Sequence, residues 1–179
     1  LDKLYKNNNL KNLKTVTVTI IDTGFKETEL LKENIKTINY LSNKDYYKLD
    51  YHSNSIANII VRNNKQSKYL KGIAPNVQLN IIEINPKPNV DEIYQALKLA
   101  LKQKSNIINM SFGFPNVKSI KKIDDLIGKC YKKNIIIVAS AGNEEQKSIN
   151  YPANHKRTIA VGGIDKNFKK VSFSNYGNS

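Results

Sequence analysis

Asp22, His52, Ser111 and Asn143 are the residues of this sequence best equipped for chemistry, and each stands where an apolar run ends or a helical one begins. Asp22 closes "TVTVTIID" and is followed by Thr-Gly, Ser111 closes "NIINMS", and Asn143 sits in "AGNEE" behind "IIIVAS". His52 opens "HSNSIANIIV"; the only other histidine is His155. A carboxylate, an imidazole and an amide at one cleft are most of the equipment of acyl transfer. The carboxylate holds the imidazole in one tautomer, the imidazole takes a proton from a hydroxyl nucleophile, and the amide donates to the oxyanion. Taken singly, each has a plainer reading. Asp before Gly caps turns, a histidine can open a helix without doing chemistry, and Asn in "AGNEE" suits a left-handed turn.

These residues need a scaffold, and the hydrophobic pattern supplies one. "TVTVTIID" (15–22), the strand within "GIAPNVQLNIIEI" (72–84), "NIINMS" (106–111), "IIIVAS" (135–140) and "TIAVGGID" (158–165) are β-branched runs of strand length. Between them, Ile56, Ile59 and Ile60 recur at helical spacing after His52, as do Ile93, Leu97, Ala100 and Leu101 in "NVDEIYQALKLALKQK". "SIKKIDDLIGKCYKKN" reads as another long helix, and Asn89 with Glu92 forms a capping box at the start of the one before it. Near-continuous Ile and Val strands alternating with amphipathic helices predict a doubly wound α/β domain, its mostly parallel sheet covered by helices on both faces. Ligands bind beyond the carboxyl ends of such strands, which is where Asp22, Ser111 and residues 141–143 fall.

Composition narrows the class. With 179 residues, 40% hydrophobic and 25% charged, the chain has the make-up of one folded domain. No apolar run approaches the ~20 residues of a membrane span. The formal net charge of +14 raises nucleic acid as a partner, but Arg62 and Arg157 are the only arginines and the lysines are scattered without interleaved aromatics. A solvated basic surface is the expectation, with no nucleic-acid partner. Cys130 is the single cysteine, so no internal disulfide can form, and its spacing with Ile123, Leu126 and Ile127 places it on a buried helix face. The chain opens "LDKLYKNNNL", with neither an initiator Met nor a leader peptide, and reads as a trimmed terminus. Residues 1–14 are polar and are expected to be peripheral.

The motifs, in their order, resemble those of the subtilisin-like serine proteases, the subtilase family. "VTIIDTG" is similar to the family's Asp segment, "HSNSIANII" to HGTHVAGI, and "GIAPNVQLNIIEI" to the GVAP segment and its strand. "NIINMSFGFP" resembles VINMSLGGP, "IIIVASAGNE" the AAGNE segment, and "YPANHKRTIAVGGID" and "VSFSNYG" the two that follow. The resemblance implies Asp22 as orienting carboxylate, His52 as base and Asn143 as oxyanion donor. It also implies a peptide-binding cleft formed by Ser111, Phe112 and Gly113 with Ala141 and Gly142. Peptides or proteins are the implied substrates, and the implied place of action is outside the cell or at its surface.

Two departures qualify this. In the His segment, Ser53, Asn54 and Asn58 replace two glycines and a threonine, Ser55 replaces a second histidine, and Phe114 replaces a glycine beside the cleft. A reshaped helix start and a narrowed cleft are expected. The family's nucleophile lies in a Gly-Thr-Ser-x-Ala motif that this sequence does not contain, and neither Ser111 nor Ser174 lies in the segment that supplies it. Residues 15–179 thus read as a catalytic domain incomplete at the C-terminus. Alone it would be inactive, with the serine-bearing remainder as a partner. The alternative is an inactive peptide- or partner-binding module on the same fold. No cofactor is implied beyond calcium, which the family commonly binds in the loop after the His helix. Here that loop, "RNNKQSKYLK", offers Asn63 and Asn64 but no carboxylate, so no metal is expected.

Overall fold

The computed structural model describes residues 15–42, 51–62 and 71–177. Six strands form one parallel sheet in the order β2-β3-β1-β4-β5-β6. They are β1 (Thr17–Asp22), β2 (Ile35–Tyr40), β3 (Gln78–Glu83), β4 (Ile107–Met110), β5 (Ile136–Ser140) and β6 (Ile159–Val161). Among the described residues, three α-helices connect them: α1 (His52–Val61), α2 (Val90–Lys102) and α3 (Lys121–Lys132). The segment 1–14, expected to be peripheral, lies outside the described residues.

β1 is the centre of the molecule. All six of its residues are buried, and it pairs with β3 on one side and β4 on the other. The chain builds the sheet outward from β1 first towards β2 and β3, then towards β6. The reversal opens a crevice at the carboxyl ends of β1 and β4, where open α/β sheets bind their ligands. Asp22 ends β1, and Ser111 follows β4.

Alternation divides the strand residues between two apolar cores. Ile21, Ile82, Ile108, Met110, Ile137 and Ala139 face α2 and α3, against Ile93, Leu97, Ile123 and Ile127. Val18, Ile20, Leu79 and Ile81 face the other way, against Ala57 and Val61 of α1. α1 covers this second face only over β1 and β3. Further along it, Ile136, Ile159 and Val161 are 49%, 54% and 50% exposed, so the expected cover of helices on both faces is incomplete among the described residues.

Two local features depart from expectation. β2 was not among the expected strands; it is the sheet edge, and none of its residues is fully buried. Half of the capping box forms: Asn89 Oδ1 accepts from Glu92 N at 2.9 Å. The Glu92 carboxylate turns instead to Asn85, accepting from its backbone N at 2.6 Å and from its side-chain Nδ2.

Candidate active site

The turn after β1 sets the geometry. Gly24, at φ 59°, lets the chain reverse immediately beyond Asp22 and Thr23. The first turn of α1 is fastened to this reversal, with Ser53 N donating to Thr23 O at 2.8 Å. Asn54 adds a reciprocal pair, its Oδ1 accepting from Lys26 N at 2.7 Å and its Nδ2 donating to Lys26 O at 2.6 Å. The helix therefore begins regularly at His52 in spite of the missing glycines, and the buried Ser53 and Asn54 join it to β1.

This docking brings His52 Nδ1 to 2.8 Å from Asp22 Oδ1. The same carboxylate oxygen accepts from Thr23 N at 2.7 Å, which fixes its orientation. A carboxylate can only accept, so Nδ1 carries a hydrogen, and in the neutral ring the lone pair is then on Nε2. The Asp22 side chain is 4% exposed and that of His52 49%, so a buried anion anchors a ring that solvent can reach.

His52, Ser111, Gly142 and Asn143 line one cleft of about 380 Å³, together with Asn109, Ser140, Val161 and Gly162. Ser111 Oγ accepts from Asn109 Nδ2 at 2.9 Å. The residues of "AGNEE" at positive φ are Gly142, at 109°, and Glu145, at 58°, not Asn143. Phe112, Gly113 and Ala141 do not line this cleft. Ala141 is buried and pairs with Val161 O across the sheet. Gly113 packs so tightly that a Cβ there would meet Asn150 Cβ at 2.8 Å. Phe112 and Phe114 meet edge to face at 6.3 Å and pack against the α2–α3 core. Phe114 also bridges to Tyr151 through paired backbone hydrogen bonds and is not among the residues lining this cleft.

The remaining expectations divide. Ser174 is 1% exposed, accepts from Gly163 N and donates to Asn175 O. Cys130 is buried on α3, and burial pushes its thiol up to about 11. His155, expected in a solvated loop, is instead largely covered. Its Nε2 lies 3.9 Å from Asp124 Oδ1, and its Nδ1 accepts from Arg157 N. Burial makes its ring harder to protonate than a free histidine, against the attraction of Asp124. The calcium question falls mainly on residues 63–70, outside the described residues. No helix among those described is long and apolar enough to cross a membrane.

Among the supports of the site, Glu83 carried no functional expectation in the sequence. Glu83, 2% exposed, ends β3 beside Asp22, and its Oε2 accepts from Phe25 N at 2.9 Å, holding the turn that follows the aspartate. Its signal was a carboxylate set between isoleucines at the end of a strand, "IIEI".

The sequence profile described as the Subtilase family matches residues 13–179. This chain is a subtilase. It is 30% identical to Subtilisin DY of Bacillus licheniformis over 97% of its own length and 63% of that relative's. It is 27% identical to a thermostable alkaline protease of Halalkalibacterium halodurans, over 89% of this chain and 44% of that one. This subtilase thus spans less than two thirds of the relatives it matches. Among solved structures it resembles the self-cleaved protease domain of PatA, with a TM-score of 0.77 at 22% identity over 90% of this chain and 62% of that one. It also resembles the Epidermin leader peptide processing serine protease of Staphylococcus aureus, with a TM-score of 0.75 at 21% identity over 92% and 50%. Both likenesses establish the subtilisin-like fold.

Proposed function

We propose that residues 15–179 carry the orienting carboxylate, the base and the oxyanion donor of a subtilisin-type serine endopeptidase. Asp22, His52 and Asn143 take these roles in turn. What carries the reading is the 2.8 Å contact from His52 Nδ1 to the buried Asp22, which leaves Nε2 for a hydroxyl. The nucleophilic serine would come from polypeptide outside this sequence, at the start of a helix in the family's manner. The sheet face beside His52, where Ile136, Ile159 and Val161 are half exposed, offers that helix an apolar seat. This chain alone would then be inactive.

In the assembled site His52 Nε2 accepts the serine proton as Oγ attacks the carbonyl carbon of the scissile peptide bond. The tetrahedral oxyanion takes a hydrogen bond from the Asn143 side-chain amide. The imidazolium, held by Asp22, then gives its proton to the leaving amine nitrogen, and water hydrolyses the acyl-enzyme by the same exchange. Ser111 and Gly142 would receive the substrate peptide, with Phe112, Gly113 and Ala141 supporting the walls. The family resemblance would place this work outside the cell or at its surface.

The test is labelling of the complete parent protein with a fluorophosphonate probe, read by intact mass. Labelling that His52→Ala abolishes is the expected result. A parent that binds extended peptides but neither hydrolyses them nor takes the probe would overturn the reading in favour of a peptide-binding module.

A further inference from the structure

Asn175 lies 29 residues beyond Gln146, the end of the loop that carries Asn143, yet its side chain is built into that loop. It is 3% exposed. Its Oδ1 accepts from Glu144 N and Gln146 N, both at 3.0 Å. Its Nδ2 hydrogens are shared among Glu144 Oε2 at 2.6 Å, Ala141 O at 3.2 Å and Asn150 Oδ1 at 3.3 Å. The backbone joins in: Asn175 N donates to Gly142 O at 3.0 Å, Glu145 N to Phe173 O at 2.9 Å, and Tyr176 N to Gln146 O at 3.0 Å. Both sides of Asn143 are therefore gripped from one distant residue.

The grip extends to Asn143 itself through Glu144. The Glu144 Oε2 that Asn175 holds also accepts from Asn143 N at 3.0 Å and from Asn150 Nδ2 at 3.1 Å. Three polar groups meet over the Cα of Gly142, where a Cβ would lie 2.3 Å from Asn175 Nδ2, 2.4 Å from Asn150 Nδ2 and 2.6 Å from Glu144 Oε2. A loop between a strand and a turn would otherwise be free to sample several conformations. Pre-orientation of a donor is what makes an oxyanion contact effective, because no reorganisation is then needed during reaction.

We infer that Asn175 is a positioning residue for Asn143, a latch that carries the Val171–Gly177 segment onto the Ala141–Gln146 loop and holds the Asn143 amide at the cleft. This rests on the oxyanion role proposed above for Asn143. Asn175 acts through Glu144 and the loop backbone and touches no substrate.

The chemistry of the latch provides its own test. Asn175→Asp keeps the Oδ1 acceptor but replaces the Nδ2 donor with an oxygen facing Glu144 Oε2, Ala141 O and Asn150 Oδ1, all of them acceptors. In the complete protease, Asn175→Asp is expected to lower kcat at least tenfold with KM within twofold. An Asn175→Asp enzyme with unchanged kcat would overturn the latch. Asn175→Ala in the present chain, followed by amide hydrogen exchange and the Asn143 side-chain resonances, gives a readout independent of turnover. Asn175→Ala should expose the Glu144 and Gln146 amides and shift the Asn143 resonances while leaving the β1 and β4 amides protected. Retained protection at Glu144 and Gln146 would overturn the latch. Should Asn143→Ala leave turnover unchanged, the oxyanion reading alone falls, and the exchange result still decides for or against the latch.

Discussion

Asp22 and His52 face each other across 2.8 Å although thirty positions separate them, and the carboxylate is buried while the ring is half exposed. Replacing Asp22 by Asn offers Nδ1 an amide in place of an obligate acceptor and releases the ring to its other tautomer. The complete enzyme should lose about 10⁴-fold in turnover. Steady-state kinetics of Asp22→Asn check this, and a loss below about tenfold would count against the pairing as the source of activity.

Asn143 lines the same cleft as His52. Under the proposed oxyanion role, its replacement by alanine in the complete protease should reduce kcat by about 10²–10³, the size known for loss of an oxyanion donor in subtilisin, and leave KM nearly unchanged. Equal losses in kcat and in peptide affinity would show a binding contact in place of an oxyanion contact.

Gly142 combines φ 109° with a crowded Cα. Gly142→Ala should destabilise the chain by about 1–3 kcal/mol from backbone strain alone, and by more once the amides and carboxylate around it are displaced. Urea denaturation of the two chains measures it. A midpoint within error of the parent would mean that the loop relaxes without cost.

His155 gives the chain an acid-sensitive component. Burial makes it harder to protonate in the folded state than in the unfolded one, where the ring has its ordinary value of 6.5; Arg157 and Lys156 add to this, while Asp124 opposes it. Protonation therefore favours unfolding. The contribution is complete above about pH 6.5 and is lost as the pH falls through the folded value. Between pH 7.5 and 5, the urea midpoint should fall further for the parent than for His155→Gln. Parallel profiles would remove His155 from the account.

Cys130 should behave as an apolar residue. With its thiol pushed up to about 11, almost no thiolate exists at pH 8. A thiol reagent should react slowly with the native chain and promptly in denaturant. Fast reaction without denaturant would mean that α3 opens locally.

Much of this architecture was legible in the sequence, for identifiable reasons. β1, β3, β4 and β5 are dense in Ile and Val because both faces of a parallel sheet seek cover, so short runs stood out against a Lys- and Asn-rich background. β2 escaped notice because an edge strand is half exposed, and "IKTINY" carries Lys and Asn like the surrounding loops. The positions of Asp22 and His52 followed from strand ends and a helix start, where chemistry concentrates in this class of fold. The supports of the site did not follow. Asn54, Glu83 and Asn175 work through hydrogen bonds to residues remote in sequence, which leave no periodicity, and asparagine is too common here to mark any one position. His155 misled for the same reason: its cover comes from elements remote in sequence.

The half-exposed Ile136, Ile159 and Val161 lie on a molecule with a net charge of +14. The two features oppose each other in solution. An apolar patch draws copies together at short range, while like charge keeps them apart at a distance set by the ionic strength, about 30 Å at 0.01 M salt and 3 Å at 1 M. Colloidal behaviour of this stretch in isolation is therefore governed by salt: it stays dispersed in dilute buffer and self-associates as the screening length shrinks below the reach of its own repulsion.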